Sequence, residues 1–285
     1  MIGFSELDWV RFLKKKAKKN KSILAGIGED CAVIKEKNKY YLISSDLFIE
    51  DVHFRLKEIS FLNIGKRATA RAISDITACG GEPKFIIVSA GIPSYITPDS
   101  IKKIINGIEN IASLCGALVI GGDTSKAKKL FLDIWVMGQT KKPILRSTAR
   151  IGDYIFVTAK LGKLAFNKPF IPPLKEVRYL VKNFKVNAMI DISDGFIIDL
   201  YRILKESRKG AILYKDRVPV TCNIKDMYRG EDYGLIFTVD RNEKKIELLK
   251  KKFYFVGVVK SIKEGYYFKD KKKKEKINIR GYMHF

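Results

Sequence analysis

Apolar residues recur along this chain in two rhythms. Helical spacing runs from about Leu62 to Cys79, where Gly80-Gly81 closes it, and again over Pro98–Cys115, Leu174–Phe184 and Gly195–Lys205. Ser5 with Asp8 three residues on resembles a capping box, and predicts a further helix running to about Lys19. Short apolar runs predict strands at Ala32–Ile34, Tyr40–Ser45, Phe85–Ala90, Ala117–Ile120 and Leu130–Gly138. After a polar, basic stretch over Thr140–Gly152, strands are expected at Tyr154–Thr158, Ala188–Ile192, Leu235–Val239 and Phe253–Val259, the last two flanking another helix. The elements mix without a regular β-α-β alternation, so the fold class is α/β of the α+β type. The basic stretch divides the chain into two expected domains, residues 1–140 and 141–285.

A length of 285 residues with 46% hydrophobic content suits such a pair of domains. No apolar window is long enough to cross a bilayer. The charges near the N-terminus follow the apolar residues instead of preceding them, unlike a secretory signal. A cytoplasmic protein without membrane contact is expected. Cys31, Cys79, Cys115 and Cys222 form no C-x-x-C pair, and reduced, mostly buried thiols are expected. The net charge of +24 sits largely in lysine runs, Lys14 to Lys21 and Lys271 to Lys274. Nucleic-acid binding is one reading of that charge. No helix-turn-helix, RNP or zinc pattern accompanies it, so a solvated lysine-rich surface without a nucleic-acid partner is preferred. Such a field would also steer polyanions such as nucleotides to a site.

The aspartates change the picture most. Asp30 lies in Gly28-Glu29-Asp30-Cys31, Asp46 ends an apolar strand, and Asp75 interrupts an apolar helical stretch. Asp123 follows Gly121-Gly122, and Asp191 and Asp194 bracket Ile192-Ser193 before Gly195. Any one of them has a bland explanation: Asp123 could cap a turn, and Asp194 the next helix. Several beside apolar segments are harder to explain that way, because a carboxylate enters apolar surroundings when it is paired or binds a cation. Clustered carboxylates with serine and threonine oxygens suit Mg²⁺. Gly28 and Gly121-Gly122 would let backbone N–H groups approach phosphate oxygens. The phosphate-binding glycine loops of P-loop and dinucleotide-binding proteins are missing, as are the protein-kinase motifs. A nucleotide here would be held mainly through metal ions.

These residues occur in the order of a known family. Gly26-Ile27-Gly28-Glu29-Asp30-Cys31-Ala32, Ser44-Ser45-Asp46-Leu47, Val52-His53-Phe54, Ile73-Ser74-Asp75-Ile76 and Gly121-Gly122-Asp123-Thr124 are followed by Arg146-Ser147, Gly152-Asp153, Ile190-Asp191-Ile192-Ser193-Asp194-Gly195 and Gly230-Glu231-Asp232-Tyr233. The chain closes on Gly281-Tyr282-Met283-His284-Phe285. Over nearly its whole length it resembles the thiamine-monophosphate kinase family, in the ATP-using superfamily of aminoimidazole ribonucleotide synthetase. The resemblance implies a two-domain synthetase-like fold whose N-terminal sheets pair across a homodimer. It implies Mg²⁺-dependent transfer of the γ-phosphoryl group of ATP directly to thiamine monophosphate, giving thiamine diphosphate and ADP. Asp30, Ser44, Ser45, Asp46, Asp75, Asp123, Asp191 and Asp194 would form the metal cage, with Asp46, Asp75, Asp123 and Asp194 central to catalysis. Gly122, Asp123, Arg146 and Ser193 would contact ATP, and His53, Glu231 and Tyr282 the thiamine part.

The chain departs from the family at several points. Ile105 stands where an aromatic residue often lies near the adenine, and Arg229 and Gly234 replace Gly and Glu around Gly230-Glu231-Asp232. Met283 replaces Asp, and Leu161–Lys185 is short and lacks an R-P-x-P-R pattern. The rival within the superfamily is another ATP-dependent synthetase. The chain lacks the terminal cysteine of hydrogenase-maturation relatives and the N-terminal cysteine or selenocysteine motif of selenophosphate synthetases.

Overall fold

A computed structural model describes residues 6–18, 20–164, 167–270 and 273–282. The first helix, α1, spans Glu6–Lys16; Ser5, its expected cap, lies outside the described residues, as do Met283, His284 and Phe285. The strands β1 (Ile23–Ala25), β2 (Ala32–Glu36) and β3 (Lys39–Ile49) lead into helix α2 (Phe61–Ala78). Strand β4 (Glu82–Ile92), helix α3 (Pro98–Cys115), and strands β5 (Leu118–Lys126) and β6 (Phe131–Thr140) complete a six-stranded sheet in the order β1-β2-β3-β6-β4-β5. Only β4 and β5 run parallel, joined by α3. The sequence pattern ended β3 at Ser45. The strand runs four residues further, so Asp46 lies within a ladder, opposite Ile134 of β6. Likewise β5 runs past the expected Ile120 to Lys126 and carries Asp123 in its middle.

Strand alternation then sorts the side chains. Leu42, Ser44 and Phe48 of β3 are buried beneath α2, and Asp46 shares that face. The intervening residues face the opposite side, which α2 and α3 leave uncovered. That open face carries partly exposed Tyr41, Ile43, Ile87, Trp135 and Met137, while Leu118 and Ile120 on the edge strand are 64% and 56% exposed.

The second half contributes β7 (Tyr154–Val157), α4 (Leu174–Asn183), β8 (Val186–Asp191), α5 (Phe196–Glu206) and β9 (Lys209–Tyr214). It continues with β10 (Leu235–Val239), α6 (Ile246–Lys252), β11 (Tyr254–Ser261), β12 (Tyr266–Asp270) and β13 (Lys273–Lys276). Its seven strands lie in the order β13-β12-β9-β11-β7-β10-β8. Strands β8 and β10 are buried at every position, which explains their unbroken apolar character. Strands β9, β12 and β13 escaped the sequence reading because their lysines and tyrosines dilute the apolar alternation. Cys31, Cys79 and Cys115 are buried free thiols, and Cys222 is exposed. No helix among the described residues is long and apolar enough to cross a membrane.

Helix α2 is the strut between the halves. The Ser60 hydroxyl caps its start by accepting the Asn63 N–H at 3.3 Å. Helix α3 is capped by Thr97, starts on Pro98 and ends on left-handed Gly116, with φ of 75°. The two helices meet at glycines: a side chain on Gly65 would strike the Ile104 carbonyl, and one on Gly107 the Leu62 carbonyl. Gly107→Val is therefore expected to force the helices apart at a cost on the order of 3 kcal/mol. Thermal melting checks this: a fall of several degrees is expected, and an unchanged midpoint would show that the contact is easily relieved.

Candidate functional site

Residue 71 lies four positions after 67, and 74 and 75 lie three and four positions after 71, so their side chains form one stripe along α2. That stripe carries Arg67, Arg71, Ser74 and Asp75 and faces the second half of the chain. Asp75 meets Asp30, from the loop before β2, and Asp191, from the end of β8. One carboxylate oxygen of each lies within 4.8 Å of the other two. Ser44 donates its hydroxyl to Asp75, and Ser74 donates to Asp191 at 2.7 Å. Arg146 pairs with Asp30 and gives its backbone N–H to Glu29 at 2.6 Å. Burial pushes the Asp75 carboxyl well above the ordinary range, and the charges of Asp191, Asp30 and Asp46 push it further. Burial, with Asp30 adding to it, raises Asp191 to about 8.

A second group surrounds Arg71. Its Nε and Nη2 donate to Asp46 at 3.0 and 3.3 Å, and its Nη1 donates to Glu231 at 2.6 Å. Arg67 holds the other Glu231 oxygen and also donates to the Lys168 carbonyl. Glu231 and Tyr233 take left-handed backbone conformations, with φ of 71° and 48°. Their N–H groups donate to the carbonyls of Ser193 (2.7 Å) and Ile192 (2.9 Å), which docks this turn onto the Ser193–Asp194 loop. Phe170 stacks on Tyr233 with ring centres 4.0 Å apart. The short segment that lacks the expected proline-arginine pattern thus packs an aromatic ring onto Tyr233.

Asp194 does not cap α5. Gly195 holds that position, with φ of 127°, and the Asp199 carboxylate accepts the N–H groups of Ser193, Asp194 and Gly195 at 3.0–3.1 Å. Arg202 neutralises Asp194 and Asp199 at 2.5 and 2.6 Å. Burial still raises Asp199 to about 7, against the pull of Arg202. A buried carboxylate thus grips three consecutive amides, and the loop is rigid where the site needs it.

Three cavities meet at Ser193 and Asp194. An acidic one of about 170 Å³ is lined by Asp46, Asp75 and Asp191. One of about 200 Å³ has His53, Glu231 and Tyr282 in its wall. A third, of about 270 Å³, presents Arg146, Arg202 and Lys205 beside Gly28 and Glu29. His53 is buried and accepts the Ile49 N–H on Nδ1 at 3.0 Å, which places the proton of the neutral ring on Nε2. Tyr282 is half exposed, and its N–H donates to the Asp194 carbonyl at 2.9 Å.

Most of the expected site residues therefore converge, but three stand apart within one chain. Ser45 borders the acidic cavity, yet strand alternation turns its hydroxyl to the open face, where it donates to Asp133 at 2.5 Å. Gly122 and Asp123 lie on the exposed edge strand. Gly122 is aligned with Asp46 through Val88 and Ile134 but is three strand spacings away, roughly 14 Å. Ile105 lines none of the three cavities and is 50% exposed on α3. The sequence reading missed Arg67, Arg71, Asp199, Arg202 and Tyr233. A helical-wheel view of Arg67, Arg71, Ser74 and Asp75 as one polar stripe on an otherwise apolar helix would have found the first two.

Residues 28–140 match the model for the AIR synthase related protein, N-terminal domain, and residues 169–267 that for its C-terminal domain. The thiamine-monophosphate kinase of Buchnera aphidicola subsp. Acyrthosiphon pisum is 33% identical, with all of both chains covered. That of Bacillus subtilis is 31% identical over 84% of each chain. A solved structure described as AaThiL complexed with AMPPCP and TMP superposes with a TM-score of 0.85 at 24% identity, covering 99% of this chain and 97% of its own. The carboxylates gathered by α2 and the cavities around them are thus carried on a fold shared along the whole length, and the chain belongs to the thiamine-monophosphate kinase family of the AIR synthase related proteins.

Proposed function

We propose that the chain is a kinase that transfers the γ-phosphoryl group of ATP to thiamine monophosphate, giving thiamine diphosphate and ADP. The observation that carries this is the meeting of three chemically distinct cavities at Ser193 and Asp194. The basic cavity, with Arg146 and Arg202, suits a polyphosphate donor. The cavity with His53 and Tyr282 suits a cationic ring. The acidic one between them is where two phosphates would meet.

The acidic group fits Mg²⁺. One oxygen of each of the three carboxylates lies within 4.8 Å of the others, burial and neighbouring charge raise the proton affinity of Asp75 and Asp191, and a hard divalent ion with oxygen ligands relieves that repulsion. Asp30, Asp75 and Asp191 would hold it, with Ser44, Asp46 and Asp194 close by. Bound there, Mg²⁺ would neutralise the facing phosphates of donor and acceptor. The protein's own part is positional. Arg146 would hold donor phosphates, the Ser193–Asp194 loop would keep its shape through Asp199, and Tyr282 would offer a ring face to the thiazolium. An acceptor-phosphate oxygen attacks the γ-phosphorus and ADP leaves. The attacking oxygen is already ionised, so no general base is required and no phosphoenzyme is expected. A reaction that draws on ATP suits the cytoplasm.

The uncovered apolar face of the first sheet, with Tyr41, Ile43, Trp135 and Met137, supports a homodimer paired through that face. Pairing there would return Ser45 and Asp123 to an enclosed setting, the route by which they could join a metal site. Trp135→Lys should then convert a dimer to single chains in sedimentation analysis. A parent that sediments as a single chain overturns the dimer.

A coupled assay tests the activity. Thiamine diphosphate should appear only with ATP, Mg²⁺ and thiamine monophosphate present together, and folded protein that forms none would overturn the assignment. In that assay Asp46→Asn should lose at least about a hundredfold in kcat. Tyr282→Ala should raise the KM for thiamine monophosphate roughly tenfold and barely move that for ATP. Parent-like values would remove these residues from the site.

The raised carboxyls give a pH dependence with a definite sign. In metal-free protein the native state holds protons on Asp75 and Asp191 that the unfolded chain releases near pH 4. Native stability from this source is therefore greatest below about pH 4 and falls as the pH rises toward about 8, the native value at Asp191. Mg²⁺ replaces those protons, so its half-saturating concentration should fall over the same interval. Melting with chelator and with Mg²⁺ from pH 5 to 8.5 checks both, and a flat chelated profile would count against a metal-free, protonated cage.

A further inference from the structure

The acidic cavity and the cavity with Tyr282 share four lining residues: Arg71, Ser193, Asp194 and Tyr233. Of these, only Arg71 brings a positive charge to the join. Its guanidinium is stretched across that join. One edge holds Asp46, at the acidic side, and the remaining nitrogen holds Glu231, in the wall of the other cavity. The Phe48 ring lies 5.4 Å from its central carbon, and the side chain is 11% exposed. The group thus lies between the two cavities and faces both.

An acceptor with its ring near His53 and Tyr282 must pass its phosphate through this join to reach the acidic cavity. A phosphate dianion there meets Asp46 and Asp194 at once and Asp75 and Asp191 beyond. The ionised carboxylates among them repel it. A planar guanidinium offers parallel N–H donors matched to two phosphate oxygens, which a lysine ammonium cannot reproduce. Glu231 would stay satisfied if Arg71 turned to a phosphate, because Arg67 holds its other oxygen. Asp46 would be released.

We propose that Arg71 binds the acceptor phosphate at the join between the cavities, selects a phosphorylated acceptor over the free alcohol, and frees Asp46 for the cage when that phosphate arrives. The inference rests on the reading that thiamine monophosphate is the acceptor. Without acceptor, Arg71 occupies the carboxylate that the metal site needs. With acceptor bound, the phosphate takes over the guanidinium and Asp46 turns to the cation. Readiness of the cage is thereby tied to the presence of something to phosphorylate.

The test compares the parent with Arg71→Met and Arg71→Lys. It measures the KM for thiamine monophosphate, the KM for ATP, and the inhibition constant of unphosphorylated thiamine against thiamine monophosphate. Arg71→Met should raise the thiamine-monophosphate KM by at least about tenfold, with the other two constants within twofold, and Arg71→Lys should recover part of the loss. A purely structural role would weaken thiamine and ATP in step. A thiamine-monophosphate KM within twofold of the parent, or equal rises in all three constants, overturns the proposal. Should Arg71→Met fail to fold, Arg71→Gln keeps a long stem and a donor for Asp46, and the same outcomes decide. A parent that does not phosphorylate thiamine monophosphate sinks the functional reading itself, which the variants cannot mimic.

Discussion

The repulsion among Asp30, Asp75 and Asp191 is the constraint around which the two halves are assembled. Three carboxylates from a loop, a helix and a strand end do not come together in a low-dielectric interior unaided. Hydroxyls of Ser44 and Ser74 and the guanidinium of Arg146 partly compensate them, and protons on Asp75 and Asp191 supply the rest while no cation is bound. Charge placed there by the fold against its own preference is then available to whatever cation enters. Buried charge is a weak source of stability, and here its use is chemical.

The arginines are distributed by the same logic. Arg146 stands beside Asp30, Arg71 beside Asp46, and Arg202 between Asp194 and Asp199. Asp30, Asp46 and Asp194 thus each have a guanidinium beside them in a low-dielectric setting where the pairing is strong, while Asp75 and Asp191 are met by the hydroxyls of Ser44 and Ser74. The lysines behave differently. The exposed lysines among the described residues contribute to the field around the molecule, while the carboxylates of the site are paired with guanidinium groups, whose planar forks suit carboxylates and phosphates.

Much of the architecture was legible because it rests on periodicity. Helices α2 and α3 stood out through apolar spacing, α2 also through the closing Gly80-Gly81, and β8 and β10 as apolar runs. Of the site, Asp30, Asp46, Asp75, Asp191 and Asp194 were legible as acids set among apolar neighbours. What stayed hidden depends on partners far along the chain. Arg67 and Arg71 went unread, because their role appears only when Glu231, some 160 positions later, is folded against them. Asp199 went unread, because its hold on three amides needs the loop geometry that Gly195 permits. Ser45 and Asp123 were grouped with the cage by order along the chain, whereas the pleat and the strand order put them on another face.

Helix α2 also acts as a ruler. Arg67, Arg71, Ser74 and Asp75 address four different partners from one stripe, and each added residue in an α-helix turns the remainder by about 100°. A single insertion or deletion between Arg67 and Asp75 would swing part of that stripe away from Glu231, Asp46 and Asp191 together. Slippage cannot absorb the change, because the carbonyls that crowd Gly65 and Gly107 lock α2 against α3. Length variation among relatives of this chain is therefore expected in the loops and strand ends, such as the shortened segment near Phe170, while the count of residues along α2 holds constant.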